Sequence, residues 1–362
     1  MDRWHFTYSG YSPQEEGLRE ALCTLGNGYF ATRGAGCESK ADGTHYPGTY
    51  LAGGYNRVES DVAGRVVENE DLVNMPNWLP LTFSPDGKAW FDIDSVEILD
   101  YEQSLDMRAG LLRRRMRVRD DEGRTTSVTE RRMVSMDDMH LCALELRIVP
   151  EDWSGTVTVR SALDGTVLNE GVERYQRLNS HHLEPIDRGT CGEECIYLVV
   201  ETSQSGLRVA QAARTQAFLG ERPVQPNRHF TGQPGKVMQD LSVDLEPGVE
   251  LRLEKVVSLF TSRDHAIADC ALEARKGAEH APDMENLVTR QAVAWSHLWR
   301  RFDIDLKMGD EKEEIRTLCI VRLHMFHLLQ TSSPSIMDLD VGVPARGWHG
   351  EAYRGHILWD EL

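Results

Sequence analysis

The chain has 362 residues, more than one hydrophobic core commonly holds, and 40% hydrophobic with 27% charged residues is an ordinary globular composition. Forty basic against 58 acidic residues leave a net charge of -18, which repels nucleic-acid phosphates and anionic lipid at long range. No stretch approaches the ~20 apolar residues that span a bilayer, and the opening MDRWHFTYSGYSPQEE lacks the apolar run of a secretory signal. No nucleic-acid partner and no membrane are therefore expected, and the cytoplasm is the default location.

Residues 1 to about 262 read as β. Segments 88–99, 111–120, 125–135, 140–150, 155–165, 195–203, 207–214 and 249–262 are short, alternating and rich in Val, Ile and Leu. Asp-Gly, Pro-Gly and Ser-Gly turns separate them, leaving no room for the helical crossovers of a parallel sheet. A large antiparallel sandwich is the economical reading, with 166–194 and 218–240 as longer loops. LLRRRMRVRD (111–120), the one Arg-rich run, reads as a strand with a solvated face.

The period changes from residue 265. Apolar residues then recur at helical spacing to Phe302, with a break at Gly277 and at 281–283, where Pro282 suits a new helix start. After the extended 302–310 comes a strong helix over 311–330, with acids in its first turn and Ile315, Leu318, Cys319, Arg322, Met325, Phe326 and Leu329 around one face. His324 and His327 fit its core rim better than a metal. SSPSIMD ends the helix. Fewer residues follow than the ~50 a domain needs, so the chain is expected to be cut from a longer protein. The implied division is a sandwich over 1–264, a helical linker over 265–333 and an incomplete third unit over 334–362.

Most of the seven cysteines fall in apolar segments, as small core residues do. CGEEC (191–195) lacks a second Cys or His pair at zinc-finger spacing and reads as a loop with two thiols. LGNGYFATRG (25–34) is not G-x-G-x-x-G and has no apolar parallel strand before it, so a tight turn between strands, with Tyr29 and Phe30 buried, is the expectation. PGTYLAGGYN (47–56) and NMPNWLPLTF (74–83) set further turns. Their Tyr50, Tyr55 and Trp78 could stack on a sugar ring, with core packing the heavier reading.

The densest chemistry lies in RGWHGEAYRGHILWDEL (346–362). His349, Glu351 and His356 do not make the zinc pattern H-E-x-x-H, and Gly350 and Gly355 oppose a regular helix, so no metal site is expected. No serine sits in a G-x-S-x-G turn. Neutral-polyol chemistry remains. Glu351 and Asp360 accept hydroxyl hydrogens, Arg346, Arg354 and His356 donate, and Trp348, Tyr353 and Trp359 offer flat apolar faces.

LGNGYFATRG, PGTYLAGGYN, LVNMPNWLPL and VPARGWHGEAYRGHILWDEL stand in the order of the signature segments of glycoside hydrolase family 65, which the chain resembles over almost its whole length. That family holds maltose, trehalose, kojibiose and nigerose phosphorylases and related α-glucoside hydrolases. The resemblance implies a galactose-mutarotase-like β-sandwich, a helical linker and the start of an (α/α)6 barrel. It implies an inverting attack by inorganic phosphate on an α-linked glucose disaccharide, giving β-glucose 1-phosphate and glucose, with phosphate as co-substrate and no cofactor. A glutamic acid protonates the leaving oxygen and phosphate replaces the base-activated water. The family's Trp-Asp pair carries over to Trp359 and Asp360 as the seat of the glucose, with His356, Glu351 and Arg346 around it. The general acid and phosphate loop are expected beyond Leu362, so no catalytic residue is assigned and the chain alone is expected to be inactive. Where several members read Trp-Asp-Thr-Glu, this chain has WDEL (359–362), leaning towards the trehalose branch, and Trp348 replaces an aliphatic residue. A homodimer is expected. The rivals are a hydrolase of the same family and a non-catalytic carbohydrate-binding or dimerisation module.

Overall fold

A computed structural model describes residues 2–171 and 178–337, with Leu339 and Val341. The chain opens with β1 (His5–Ser9), α1 (Pro13–Leu22) and the short β2 (Leu25–Gly26), β3 (Phe30–Thr32) and β4 (Thr49–Leu51). The hairpin β5 (Tyr55–Val62) and β6 (Arg65–Leu72) follows, then β7 (Leu81–Ser84), β8 (Glu97–Asp106), β9 (Leu111–Arg119), β10 (Thr125–Val134), β11 (Leu141–Pro150) and β12 (Gly155–Asp164). The rest are β13 (Leu183–Thr190), β14 (Cys195–Thr202), β15 (Arg208–Leu219), β16 (Arg222–Val224), β17 (Asn227–Gln233), β18 (Lys236–Leu245) and β19 (Leu251–Thr261), then α2 (Cys270–His280), α3 (Met284–Phe302) and α4 (Glu311–Thr331).

The fold is mainly β, and every strand pairing is antiparallel among the described residues. The large sheet runs β1-β8-β9-β10-β11-β19-β15-β14-β13, with β16 on β15, and a four-stranded sheet β17-β18-β12-β7 faces it. The inner layer is apolar: Val157, Val159 and Leu163 of β12 join Ile196, Leu198 and Val200 of β14 and Leu253, Val257 and Leu259 of β19 in one core. The opposite face of the large sheet is not wet. Ala210 and Ala212 of β15 pack with Ala274 and Ala278 of α2, and Met133, Ala143 and Val256 pack with Met284 and Leu287 of α3. Strands buried on both faces need not alternate, and β19 is buried at all but one position although its sequence mixes apolar and charged residues.

β9 does present alternate arginines to solvent, but Arg114 of that run points inward and is buried. Three sequence expectations need correction. Residues 166–194 and 218–240 are not simply loops: β13 and β17 are exposed edge strands without an apolar stripe, and β18 completes the small sheet. The segment 88–99 is a short 3₁₀ turn (Ile93–Ser95) leading into β8. Cys191 and Cys195 are not two thiols. The β13–β14 hairpin sets them opposite each other, with Cys191 N donating to Cys195 O at 2.8 Å, and they form a disulfide. The linker helices break at 281–283 as expected, with Asp283 capping α3 through Asn286 N, but not at Gly277, through which α2 runs without interruption. Among the described residues no helix is long and apolar enough to cross a membrane.

Candidate functional site

Arg346, Glu351, His356, Trp359 and Asp360 all lie outside the described residues. The described part of the chain shows the platform from which that segment departs, and two of the four signature motifs build it.

Asn27 is its centre. Its Oδ1 accepts from the backbone of Tyr29 (3.0 Å) and Phe30 (3.1 Å), closing the β2–β3 turn, and its Nδ2 donates to the carbonyls of Ser135 (2.8 Å) and Met139 (3.0 Å). The turn is thereby bolted to the β10–β11 connection. Gly28 has φ +89, and a Cβ there would lie 2.1 Å from Ser333 Oγ, which itself donates to the Asn27 carbonyl. At Gly53, φ +63, a Cβ would lie 2.6 Å from Val341 Cγ1, and Arg263 Nη1 donates to its carbonyl. Both positions favour glycine because their φ is positive and side chains of the segment after α4 press against them. The helix is fastened alongside, with Gln330 Nε2 donating to Thr24 O (3.2 Å) and His327 Nε2 lying 3.1 Å from Leu22 O.

Tyr29 supports the platform from below. Its hydroxyl donates to Asp264 Oδ2 at 2.7 Å, and burial with that neighbouring carboxylate holds its pKa well above the usual phenol value. Tyr50 and Trp78 are fully buried core residues, and Trp78 Nε1 donates to Thr32 Oγ1 at 2.8 Å. Sequence reasoning identified the turn and its buried aromatics but missed what the glycines approach. The signal was there: two motifs combine glycines with Asn or Tyr, whereas a solvent turn needs no aromatic partner.

The loop between β3 and β4 enters a buried ionic network. Arg114 donates to Glu38 Oε1 (2.7 Å) and lies 2.7 Å from Glu130 Oε2, while His45 Nδ1 is 3.0 Å from Glu20 Oε1. Burial alone would push the Glu38 carboxyl up, but Arg114 more than offsets it and Glu38 titrates below its ordinary value. Burial likewise disfavours the His45 cation, and the Glu20 carboxylate overcomes it, raising the pKa. Cys37, Glu38 and Glu130 come close enough to surround a cation. Arg114 already occupies that position between the two carboxylates, so the set is an ion-pair network.

Comparison with known proteins agrees with this architecture. Residues 6–298 match the glycosyl hydrolase family 65 N-terminal domain, and residues 322–362 match the family 65 central catalytic domain. A protein of Mycobacterium tuberculosis H37Rv described as an uncharacterized glycosyl hydrolase is 45% identical over 361 residues, covering 100% of this chain and 27% of that protein. Kojibiose phosphorylase of Thermoanaerobacter brockii is 27% identical over 365 residues, covering 99% of this chain and 45% of the relative. Trehalose 6-phosphate phosphorylase of Lactococcus lactis is 29% identical over 360 residues, with 97% and 44% coverage. The chain thus spans between about a quarter and a half of the relatives it matches. A solved structure from the human microbiome, provisionally named a kojibiose phosphorylase, superposes with a TM-score of 0.81 at 18% identity, over 99% of this chain and 45% of its own. With a two-sheet sandwich, a helical linker and the signature glycines all in place beneath two family models matched in order, the chain belongs to glycosyl hydrolase family 65.

Proposed function

We propose that this chain forms the sandwich, the linker and the opening of the catalytic unit of an inverting α-glucoside phosphorylase. The observation that carries the reading is the platform: Ser333 and Val341, after α4, seat their side chains on Gly28 and Gly53 of two signature motifs, a few residues before a segment rich in polyol-binding groups. Several relatives matched over nearly the whole chain are phosphorylases by name, which supports phosphate as the acceptor.

In this reading Trp359 gives the glucose a flat apolar face and Asp360 accepts a pair of its hydroxyl hydrogens, while His356, Glu351 and Arg346 shape the pocket. Phosphate attacks the anomeric carbon from the face opposite the scissile oxygen. A glutamic acid elsewhere in the catalytic unit protonates the leaving sugar, and β-glucose 1-phosphate results. Disaccharide and phosphate are the substrates, no cofactor takes part, the unit over 334–362 begins an (α/α)6 barrel, and the whole enzyme acts as a cytoplasmic homodimer.

A second reading has support of its own. The relative at 45% identity is described as a glycosyl hydrolase, which would use water and a second carboxylate. Omitting inorganic phosphate from the whole enzyme decides between them. Turnover of an α-linked glucose disaccharide stops if phosphate is the acceptor, and undiminished glucose release would establish the hydrolase.

A further inference from the structure

A second site lies within the sandwich, away from the platform. A cavity of about 760 Å³ opens between the loop after β3, the start of β7, and strands β12 and β18. Its volume falls in the range of about 300–1,000 Å³ usual for small-molecule sites. No platform residue lines it.

One wall carries an aromatic face held rigidly in place. The Arg160 guanidinium lies 4.2 Å from the centre of the Trp90 ring and is itself fixed by two 2.7 Å hydrogen bonds to Asp240. Beside the indole sits a buried polar group with capacity to spare. Asn77, 5% exposed, accepts from Leu79 N with its Oδ1, while its amide nitrogen has no hydrogen-bond partner among the described residues. An amide donor left without a partner in so buried a residue favours a ligand that brings hydroxyls rather than a purely apolar one.

Charge narrows the class. Carboxylates outnumber cations along the wall, and two of the cations are engaged, Arg160 by Asp240 and Lys236 by Asp164 at 2.5 Å. A phosphate or other anion would meet a wall of its own sign. Lys40 and Glu170 have no ion pair among the described residues and can serve as one more donor and one more acceptor.

We propose that this cavity binds a neutral gluco-oligosaccharide, stacking a ring on Trp90 and meeting its hydroxyls with Asn77, Lys40 and Glu170. The proposal does not depend on whether the whole enzyme uses phosphate or water.

Maltotriose is the probe, titrated calorimetrically into the 362-residue chain. Saturable binding with a Kd of about 1 mM or tighter is expected. Trp90→Ala weakens it at least about 10-fold, the scale of losing one stacking face. Ala41→Trp, placed in the cavity lining, deletes no hydrogen bond yet fills the space and abolishes binding, which covers the case of a poorly folded Trp90 variant. Trp359→Ala leaves the maltotriose site intact. The proposal is overturned by no saturable heat up to about 50 mM, a concentration that would reveal even very weak binding. It is equally overturned if Trp359→Ala alone removes the signal, or if glucose 1-phosphate binds at the cavity more tightly than maltotriose.

Discussion

Lys255 shows how far a single residue can depart from its usual chemistry. It points between the two sheets, is fully buried, and donates to the carbonyls of Pro80 (3.0 Å) and Ala162 (2.8 Å), with no carboxylate paired to it among the described residues. Desolvation lowers its pKa to about 7. The unfolded chain therefore holds this proton up to about pH 10, while the folded chain releases it near pH 7, and stability rises with pH between those values. Between pH 7 and 9 the Lys255 contribution is predicted to grow by about 2 kcal/mol. Cys23, Cys37 and Cys142, whose pKa values burial raises, act in the opposite direction above about pH 8.5, so the check is a difference. Denaturant melts of the wild type and Lys255→Met should converge as pH rises, and parallel curves would refute the shifted lysine. At the proposed glucose seat, Trp359→Ala or Asp360→Ala in the whole enzyme should lower kcat/KM about 100-fold or more, ~3 kcal/mol of transition-state binding. Near-wild-type values would remove both from the pocket. Neither side chain's role nor the Lys255 environment could be read from local pattern. Lys255 sits in VELRLEKVVSLF like any exposed strand lysine, and only the packing of the second sheet reveals it.

At the scale of elements, what was legible followed from burial. β9, β10, β11, β12, β14 and β19 each carry an apolar stripe and were recognisable within a few residues. β13 and β17 are exposed edges without a stripe, and the β5–β6 hairpin turns through Ala63 and Gly64, both at positive φ, with charges along its outer half. α1 carried a start signal, Pro13 in the first turn followed by Glu15 and Glu16, but Gly17 and its charged face concealed it. That helix matters, since it delivers Glu20 to His45 and Tyr46 N. The glycine turns were recognised as turns, though their closeness to Ser333 and Val341 is a contact across some 300 residues that no local pattern contains. It is testable. Gly28→Ala should destabilise the chain by about 2–4 kcal/mol, because strain at positive φ adds to collision with Ser333. Gly64→Ala, at φ +78 with open space around its Cβ, should lose only about 1 kcal/mol. Equal losses in urea unfolding would show that nothing presses on Gly28.

For the whole molecule, the sandwich is more than a passive neighbour of the linker. Trp295 of α3 stacks on Phe326 of α4 at 4.5 Å, Trp299 Nε1 donates to Met107 O at 2.9 Å, and α4 is pinned to the glycine platform. Through these contacts residue 333 is held by the β2–β3 turn, itself fixed to the β10–β11 connection, and residue 341 lies against Gly53 after β4. Arg346, Glu351, His356, Trp359 and Asp360 were named from motif resemblance, and they lie outside the described residues. The central claim is that the whole enzyme transfers glucose to phosphate with inversion. Proton and phosphorus NMR of the first turnovers with an α-linked glucose disaccharide and phosphate tests it most directly. The account predicts β-glucose 1-phosphate in one-to-one ratio with free glucose, whereas free glucose alone, or the α-anomer of the phosphate ester, would contradict it.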